Sequence, residues 1–386
     1  MFSGLLLACL AAGQPAAADS VRDNEWALGA LQVPQAWAMT KGEGVTVGVL
    51  DSGVDAGHPD LAGQVTTGPD YAGGDARPGS AFWGQHGTAM ASTIAGHGHG
   101  AGAGVIGVAP AAKLLSVRVT WDNNDPIRNL PAAARAAAGA TDSNPVADGI
   151  RYAVDRGAQV INMSFGEAAR SATDVAETDA AVQYAIAHGV VLVASTGNGA
   201  QTNNAAELPA ALPGVIAVAA SDRAGHRATF STHQWTTSVA APGVEVIEAQ
   251  AGGGYLVGDG TSPAAALVSG VAALIRSRFP KLTPAQIRDV LQRTASRSTG
   301  GYTEDLGWGV VQAAAALRMA ATLTPQAPVP QAAPGRSRLL GGAGSQVPRV
   351  GLSAIDVRRL AVPLALLLGG GLLLLVAVLL VTVRRA

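Results

Sequence analysis

Five short apolar runs constrain the fold of this 386-residue chain more than any other feature. They lie near residues 45–50, 114–119, 158–163, 190–195 and 215–220 and are built mainly from Val, Ile, Leu and Ala. Each has the length of a strand, and helical stretches near 86–95, 146–156, 174–188 and 262–278 lie between or after them. Strands alternating with helices in this way predict a mostly parallel sheet with helices on both faces. Functional groups in such a sheet gather at the carboxyl ends of the strands. Asp51 directly follows the first run, and Asn198 follows the fourth.

Three strings carry the chemistry: Asp51-Ser-Gly-Val-Asp55, His86-Gly-Thr88 and Gly260-Thr-Ser262. A serine hydroxyl is a weak nucleophile until an imidazole takes its proton and a carboxylate fixes the tautomer of that imidazole. The strings supply one such group each, in the order Asp51, His86, Ser262. Each residue also has a simpler reading. Ser262 suits a helix N-cap, Asp51 a turn at a strand end, His86 a surface position, and Asn198 between Gly197 and Gly199 a turn with positive φ.

The flanking residues give these strings a family context. Asp51 ends the run from Val45 to Leu50, and His58-Pro-Asp-Leu61 follows it. His86-Gly-Thr88 opens an Ala-rich stretch and is followed by Gly107-Val-Ala-Pro110. Ile161-Asn-Met-Ser-Phe-Gly166 and Val190-Val-Leu-Val-Ala-Ser-Thr-Gly-Asn198 come later in the same order. Together they resemble the subtilases over roughly residues 22–318, and several ordered motifs make coincidence improbable. The resemblance implies an α/β, subtilisin-like three-layer fold with a mostly parallel central sheet. It implies a serine endopeptidase with Asp51, His86 and Ser262 as its triad and no cofactor. It also gives Asn198 the oxyanion hole, beside the N–H of Ser262, and Ser164, Phe165 and Gly166 the edge that pairs with a protein or peptide substrate.

Two features depart from the family pattern. Pro263 follows Ser262, with Ala266 and Leu267 further on, where subtilases usually carry Met and a later Pro and His. Were Ser262 the cap of the helix, Pro263 would fall at its first position, where no N–H is needed. Ala89 and Ser92 likewise replace the His and Gly common after the His-Gly-Thr string.

Other constellations are weaker. His97-Gly-His99 offers two imidazoles without a third ligand nearby, which favours a flexible loop over a metal site. Asp122-Asn-Asn-Asp125 lacks the glycine and distal glutamate of an EF-hand loop. Residues 121–145 interrupt the α/β alternation and form a candidate loop over the substrate cleft or a docking loop. A net charge of −1 gives no basic footprint for nucleic acid.

The two ends point to a membrane. Residues 1–18 hold a short apolar run, the only cysteine (Cys9) and Ala16-Ala-Ala18, which suit a signal peptide despite the missing basic start. Residues 19–44 are too few for a separately folded propeptide and are expected to pack on a catalytic domain at 45–318. Residues 319–357, rich in Pro, Ala and Gly, read as a tether. Within 358–386, the stretch from Leu360 to Val383 carries no charge, and as a helix it would reach about 36 Å, enough to span a ~30 Å hydrocarbon core. Arg358-Arg359 and Arg384-Arg385 nearly balance, so the signal-like start sets the orientation, with the catalytic domain outside.

Within the subtilases the arrangement resembles the mycosins, membrane-anchored proteases of type VII secretion. The likeness lies in Arg22-Asp-Asn-Glu-Trp26, Lys41-Gly-Glu-Gly-Val45 and Leu208-Pro-Ala-Ala-Leu-Pro-Gly214, and in the tether with its terminal helix. It implies association with a type VII secretion complex. Two other readings stay open: a protease fold used as an inactive scaffold, and a degradative extracellular subtilase.

Overall fold

The computed structural model describes residues 20–100, 102–140, 143–166, 171–296 and 301–326. The expected signal peptide and the expected transmembrane span lie outside them. Among the described residues no helix is long and apolar enough to cross a membrane.

The strands are β1 (Thr46–Asp51), β2 (Val65–Asp70), β3 (His97–His99), β4 (Ala103–Ile106), β5 (Lys113–Arg118), β6 (Val160–Met163), β7 (Val191–Ser195), β8 (Ile216–Ser221), β9 (Thr237–Pro242), β10 (Val246–Ala249) and β11 (Tyr255–Gly258). Seven form one sheet in the order β2-β5-β1-β6-β7-β8-β9, and every pairing within it is parallel. β3 with β4 and β10 with β11 make two small antiparallel hairpins outside it. The five expected strands are β1, β5, β6, β7 and β8.

The helices are α1 (Ser20–Asp23), α2 (Trp26–Ala30), α3 (Val33–Ala36), α4 (Gln85–Ala95), α5 (Ala132–Ala137), α6 (Pro145–Asp155), α7 (Ala172–Ala187), α8 (Thr261–Arg278), α9 (Pro284–Thr294) and α10 (Ala313–Ala320). Strand periodicity divides the core between the two faces of the sheet. Val47, Val49, Val191, Val193, Ile216 and Val218 pack with α4 and α8 on one side. Leu50, Ile161, Met163, Leu192 and Ala194 pack with α6 and α7 on the other. α8 is buried along nearly its whole length. Its small side chains allow this: a Cβ at Gly270 would meet Val108 at 2.5 Å.

The stretch from Ser20 onward lies on this body. Arg22 donates to the carbonyls of Ala103 and Gly104, Glu25 Oε1 accepts the Ile106 N–H at 2.7 Å, and Trp26 Nε1 donates to the Glu245 carbonyl at 3.0 Å. At the other end the packed body runs past residue 318. Gln286 holds the Thr324 carbonyl at 2.8 Å and the Gln326 N–H at 3.2 Å, so residues 319–326 of the expected tether are part of the fold.

Two local expectations are corrected. His97-Gly-His99 is not a flexible loop but β3, because His99 Nδ1 sits 2.6 Å from the buried Asp60 carboxylate, which also accepts the Val105 N–H of β4. Gly260, not Ser262, is the N-cap of α8, so Pro263 stands at the third helical position. Proline remains compatible there, since the first-turn N–H groups have no intrahelical acceptor.

Candidate active site

β1 delivers Asp51 to its carboxyl end, fully buried, and α4 presents His86 opposite it. His86 Nδ1 lies 2.8 Å from Asp51 Oδ1, which also accepts the Ser52 N–H at 2.7 Å. A carboxylate can only accept here, so Nδ1 carries a hydrogen and Nε2 is left for the cleft. The two strings are laced together further: Ser52 Oγ accepts the Gly87 N–H at 3.2 Å, and Thr88 Oγ1 accepts the Asp55 N–H at 2.8 Å. Glycine at 87 is a steric requirement, because a Cβ there would run into the Gly53 carbonyl.

α4 has no side-chain cap of its own, since Gly84 is its N-cap. Asp122 supplies one from a distance, accepting the Gln85 N–H at 3.0 Å and the His86 N–H at 2.9 Å. Such a carboxylate satisfies orphan donors and favours the positive end of the helix dipole. The acidic run at 122–125 thus fixes the backbone of His86; its other member, Asp125, caps a short 3-10 turn at Pro126–Asn129.

The environment of His86 sets its proton affinity. Burial works to lower its pKa, but Asp51, by charge and hydrogen bond, and the more distant Glu248 and Asp122 outweigh burial and raise it to about 9. Glu248, on β10 and only 3% exposed, is itself raised to about 7, chiefly by burial. Its Oε1 has no hydrogen-bond partner among the described residues.

Ser262 occupies the first turn of α8 and faces the same cleft as His86, Asp51, Asn198 and residues 164–166. Its hydroxyl donates to the Ser164 carbonyl at 2.7 Å, and Ser164 Oγ donates to the Ser262 carbonyl at 2.9 Å. The hydroxyl is therefore turned to Ser164 rather than to His86. The Ser262 N–H lies in the helical turn where no intrahelical acceptor exists.

Asn198 follows β7, and its Oδ1 accepts both the Thr261 N–H and the Thr261 hydroxyl, each at 3.0 Å. A backbone N–H can only donate, so the amide orientation is fixed by chemistry and Nδ2 is left free to donate. Thr261 Oγ1 in turn accepts the Gly197 N–H at 3.2 Å. The cleft holds about 340 Å³ and is lined as well by Trp121, Asn123 and Arg128 from the irregular stretch after β5, and by Glu207.

All the sequence-derived site residues thus line one cleft. Thr261, Asp122, Glu207 and Glu248 are additions. Thr261 stood inside one of the strings without a role; the other three lie outside the strings, where spacing gives no signal. Among the described residues no three His, Cys, Asp or Glu side chains converge as a metal site.

A family model for the subtilases matches residues 42–309. The chain belongs to the subtilase family. Subtilases are serine endopeptidases, and relatives of this one are named as proteases. It is 38% identical over 326 residues to fervidolysin of Fervidobacterium pennivorans, covering 78% of this subtilase but only 44% of fervidolysin. It is 35% identical over 273 residues to thermitase of Thermoactinomyces vulgaris, covering 71% of this subtilase and 88% of thermitase. Among solved structures it is similar to MycP1 from the ESX-1 type VII secretion system, with a TM-score of 0.66 and 29% identity over 82% of this chain and 90% of that one. The subtilisin-like α/β fold and the sequence likeness to mycosins are in agreement with these relatives.

Proposed function

We propose that this subtilase hydrolyses peptide bonds through a covalent acyl-enzyme. Ser262 attacks the scissile carbonyl, His86 Nε2 takes the hydroxyl proton and later gives it to the leaving amine, and Asp51 holds His86 and stabilises its charge. Asn198 Nδ2 and the Ser262 N–H donate to the oxygen that becomes negative. Water then attacks the acyl-enzyme ester, His86 again taking a proton, and Ser262 is restored. The observation that carries this reading is the 2.8 Å contact between His86 and the buried Asp51 in the cleft that holds Ser262 and Asn198.

Residues 164–166 follow β6 at its carboxyl end, where an extended peptide can add as a strand. An N–H of the bound peptide would then replace Ser262 as donor to the Ser164 carbonyl. That exchange frees the hydroxyl to turn to His86.

The reading extends to location. The charge-free stretch from Leu360 to Val383, the tether before it and the likeness to MycP1 support a single-pass membrane protein, catalytic domain outside, that works with a type VII secretion complex. Labelling with a fluorophosphonate tests the chemistry: wild type should label and Ser262→Ala should not. Equal labelling of both removes Ser262 from the mechanism, and failure of wild type to label favours the inactive scaffold. Truncation after Gln326 should release the enzyme to the medium with its hydrolytic activity, and retention in the membrane fraction would overturn the anchor.

A further inference from the structure

The loop after Asn198 returns through the cleft at Glu207, and the placement of this carboxylate is unusual. It lies against the backbone of both Gly166 and Gly197, and a Cβ at either glycine would collide with it. Gly166 ends the segment expected to pair with substrate, and Gly197 precedes Asn198. The Glu207 carboxylate therefore bridges the two walls on either side of the reacting groups. No hydrogen bond or ion pair reaches it among the described residues.

Its surroundings make that solitude costly. Glu207 is half-buried, and burial pushes its carboxyl above the usual carboxylate range. A partly desolvated carboxylate gains most from a partner that brings an opposite charge and N–H donors. Arg128, the arginine that lines the cleft among the described residues, does not serve. Arg128 donates to the Trp121 carbonyl at 2.8 Å and weakly to Thr120 Oγ1 at 3.4 Å, and forms no ion pair with Glu207. Phe165, half-buried on the same wall, offers an apolar face to the methylene stem of a long basic side chain.

The residue that donates the scissile carbonyl must place that carbonyl between Ser262 and Asn198. Its side chain then enters the space between residues 164–166 and 197–199, where Glu207 is the unpartnered charge. We propose that Glu207 is the specificity-determining residue of this enzyme and selects substrates with Lys or Arg at that position. This rests on the serine endopeptidase reading and adds the substrate class to it. The same logic, a carboxylate in the pocket beside the nucleophile, selects basic residues in serine proteases of an unrelated fold.

The test uses fluorogenic peptide amides identical except for the residue donating the scissile carbonyl, set to Arg, Lys, Leu, Phe or Glu. Wild type should show kcat/KM for Arg and Lys ~10–100-fold above Leu, the scale of a hydrogen-bonded charge, with Glu lowest. Glu207→Gln should bring the Arg-to-Leu ratio close to one, and Glu207→Lys should favour the Glu peptide. A wild-type preference for Leu or Phe, or a ratio unchanged in Glu207→Gln, would overturn the assignment. Should the variants misfold, wild type alone decides: hydrolysis of the Glu peptide as fast as the Arg peptide, or of the Leu peptide faster than Arg and Lys, overturns the proposal. Hydrolysis and fluorophosphonate labelling without the preference remove the specificity alone; absence of both removes the protease reading with it.

Discussion

Asn198 Oδ1 accepts two hydrogen bonds from one residue, Thr261, and is thereby held with its NH₂ free. Thr261 is the immediate neighbour of Ser262, so one short contact ties the proposed oxyanion donor to the proposed nucleophile. Because the amide is locked before substrate arrives, no reorganisation is needed as negative charge develops. Asn198→Ala should lower kcat by ~10²–10³-fold with little change in KM, the size known for the oxyanion amide of subtilisin. Thr261→Val keeps the backbone bond and loses the hydroxyl, so its kcat should fall less. Steady-state kinetics on one peptide amide would show both; a wild-type kcat in Asn198→Ala would assign the oxyanion to another donor.

The acid limb of the pH profile should lie high. A general base works only when neutral, and His86 is raised to about 9, so kcat/KM should still be climbing above pH 6.5. Glu248 contributes to that rise as a nearby charge. Glu248→Gln should therefore move the limb to lower pH. A limb that stays in place would show that Glu248 does not act on His86.

Glu248 also makes a prediction about stability. Its carboxyl is raised from 4.5 to about 7 in the fold, so between these values the native state holds a proton that the unfolded chain has lost. Stability from this group is present below pH 4.5 and declines as pH rises through about 7. The His86 pairing has the same direction over a higher window: present below pH 6.5, lost as pH passes about 9. Glu248→Gln should be more stable than wild type at pH 8 by about 1–3 kcal/mol and nearly equal at pH 4.5. Urea unfolding at the two pH values gives the comparison, and equal differences at both would refute the burial argument.

Asp122 acts on the site through the backbone. It accepts the first two N–H groups of α4, one of which belongs to His86. Asp122→Ala should cost about 0.5–2 kcal/mol of stability, the size of a lost cap. It should also lower kcat more than it raises KM, because His86, the proposed general base, loses its placement while residues 164–166 are untouched. Restoration of kcat by Asp122→Asn, which keeps an acceptor oxygen, would separate placement from charge; a wild-type kcat in the alanine variant would deny the positioning role.

The parts legible in sequence were those that local pattern encodes. β1, β5, β6, β7 and β8 are short, mostly apolar runs, and the strings around Asp51, His86 and Ser262 are compact enough to read directly. β9, Thr237–Pro242, escaped because Thr237, Ser238 and Pro242 leave only a three-residue apolar stretch, although it is buried throughout. β2 is an edge strand with an exposed, mixed pattern. α9 carried a readable signal, Pro284 at its start and a capping box between Thr283 and Gln286, that the strand-centred reading passed over. Asp122, Glu207 and Glu248 were illegible for another reason. Their roles depend on loops turning back onto other elements, Asp122 onto His86 and Glu207 onto Gly166, and no local spacing records that.

The last prediction concerns the stretch before β1. Leu31 and Val33 are fully buried in the main core, the Leu31 carbonyl accepts the Ala313 N–H of α10 at 2.8 Å, and Trp37 Nε1 donates to the Val108 carbonyl at 2.9 Å. These contacts join residues 31–37 to α10 and the main body, so residues 20–44 should remain on the active enzyme instead of leaving as a propeptide. Leu31→Ala removes fully buried methyl groups from the main core and should cost about 2–5 kcal/mol. Denaturant unfolding measures the loss, and N-terminal sequencing of active protein checks the retention. A stability change within error, or active protein beginning at or beyond Gly44, would show that this stretch is dispensable to the fold.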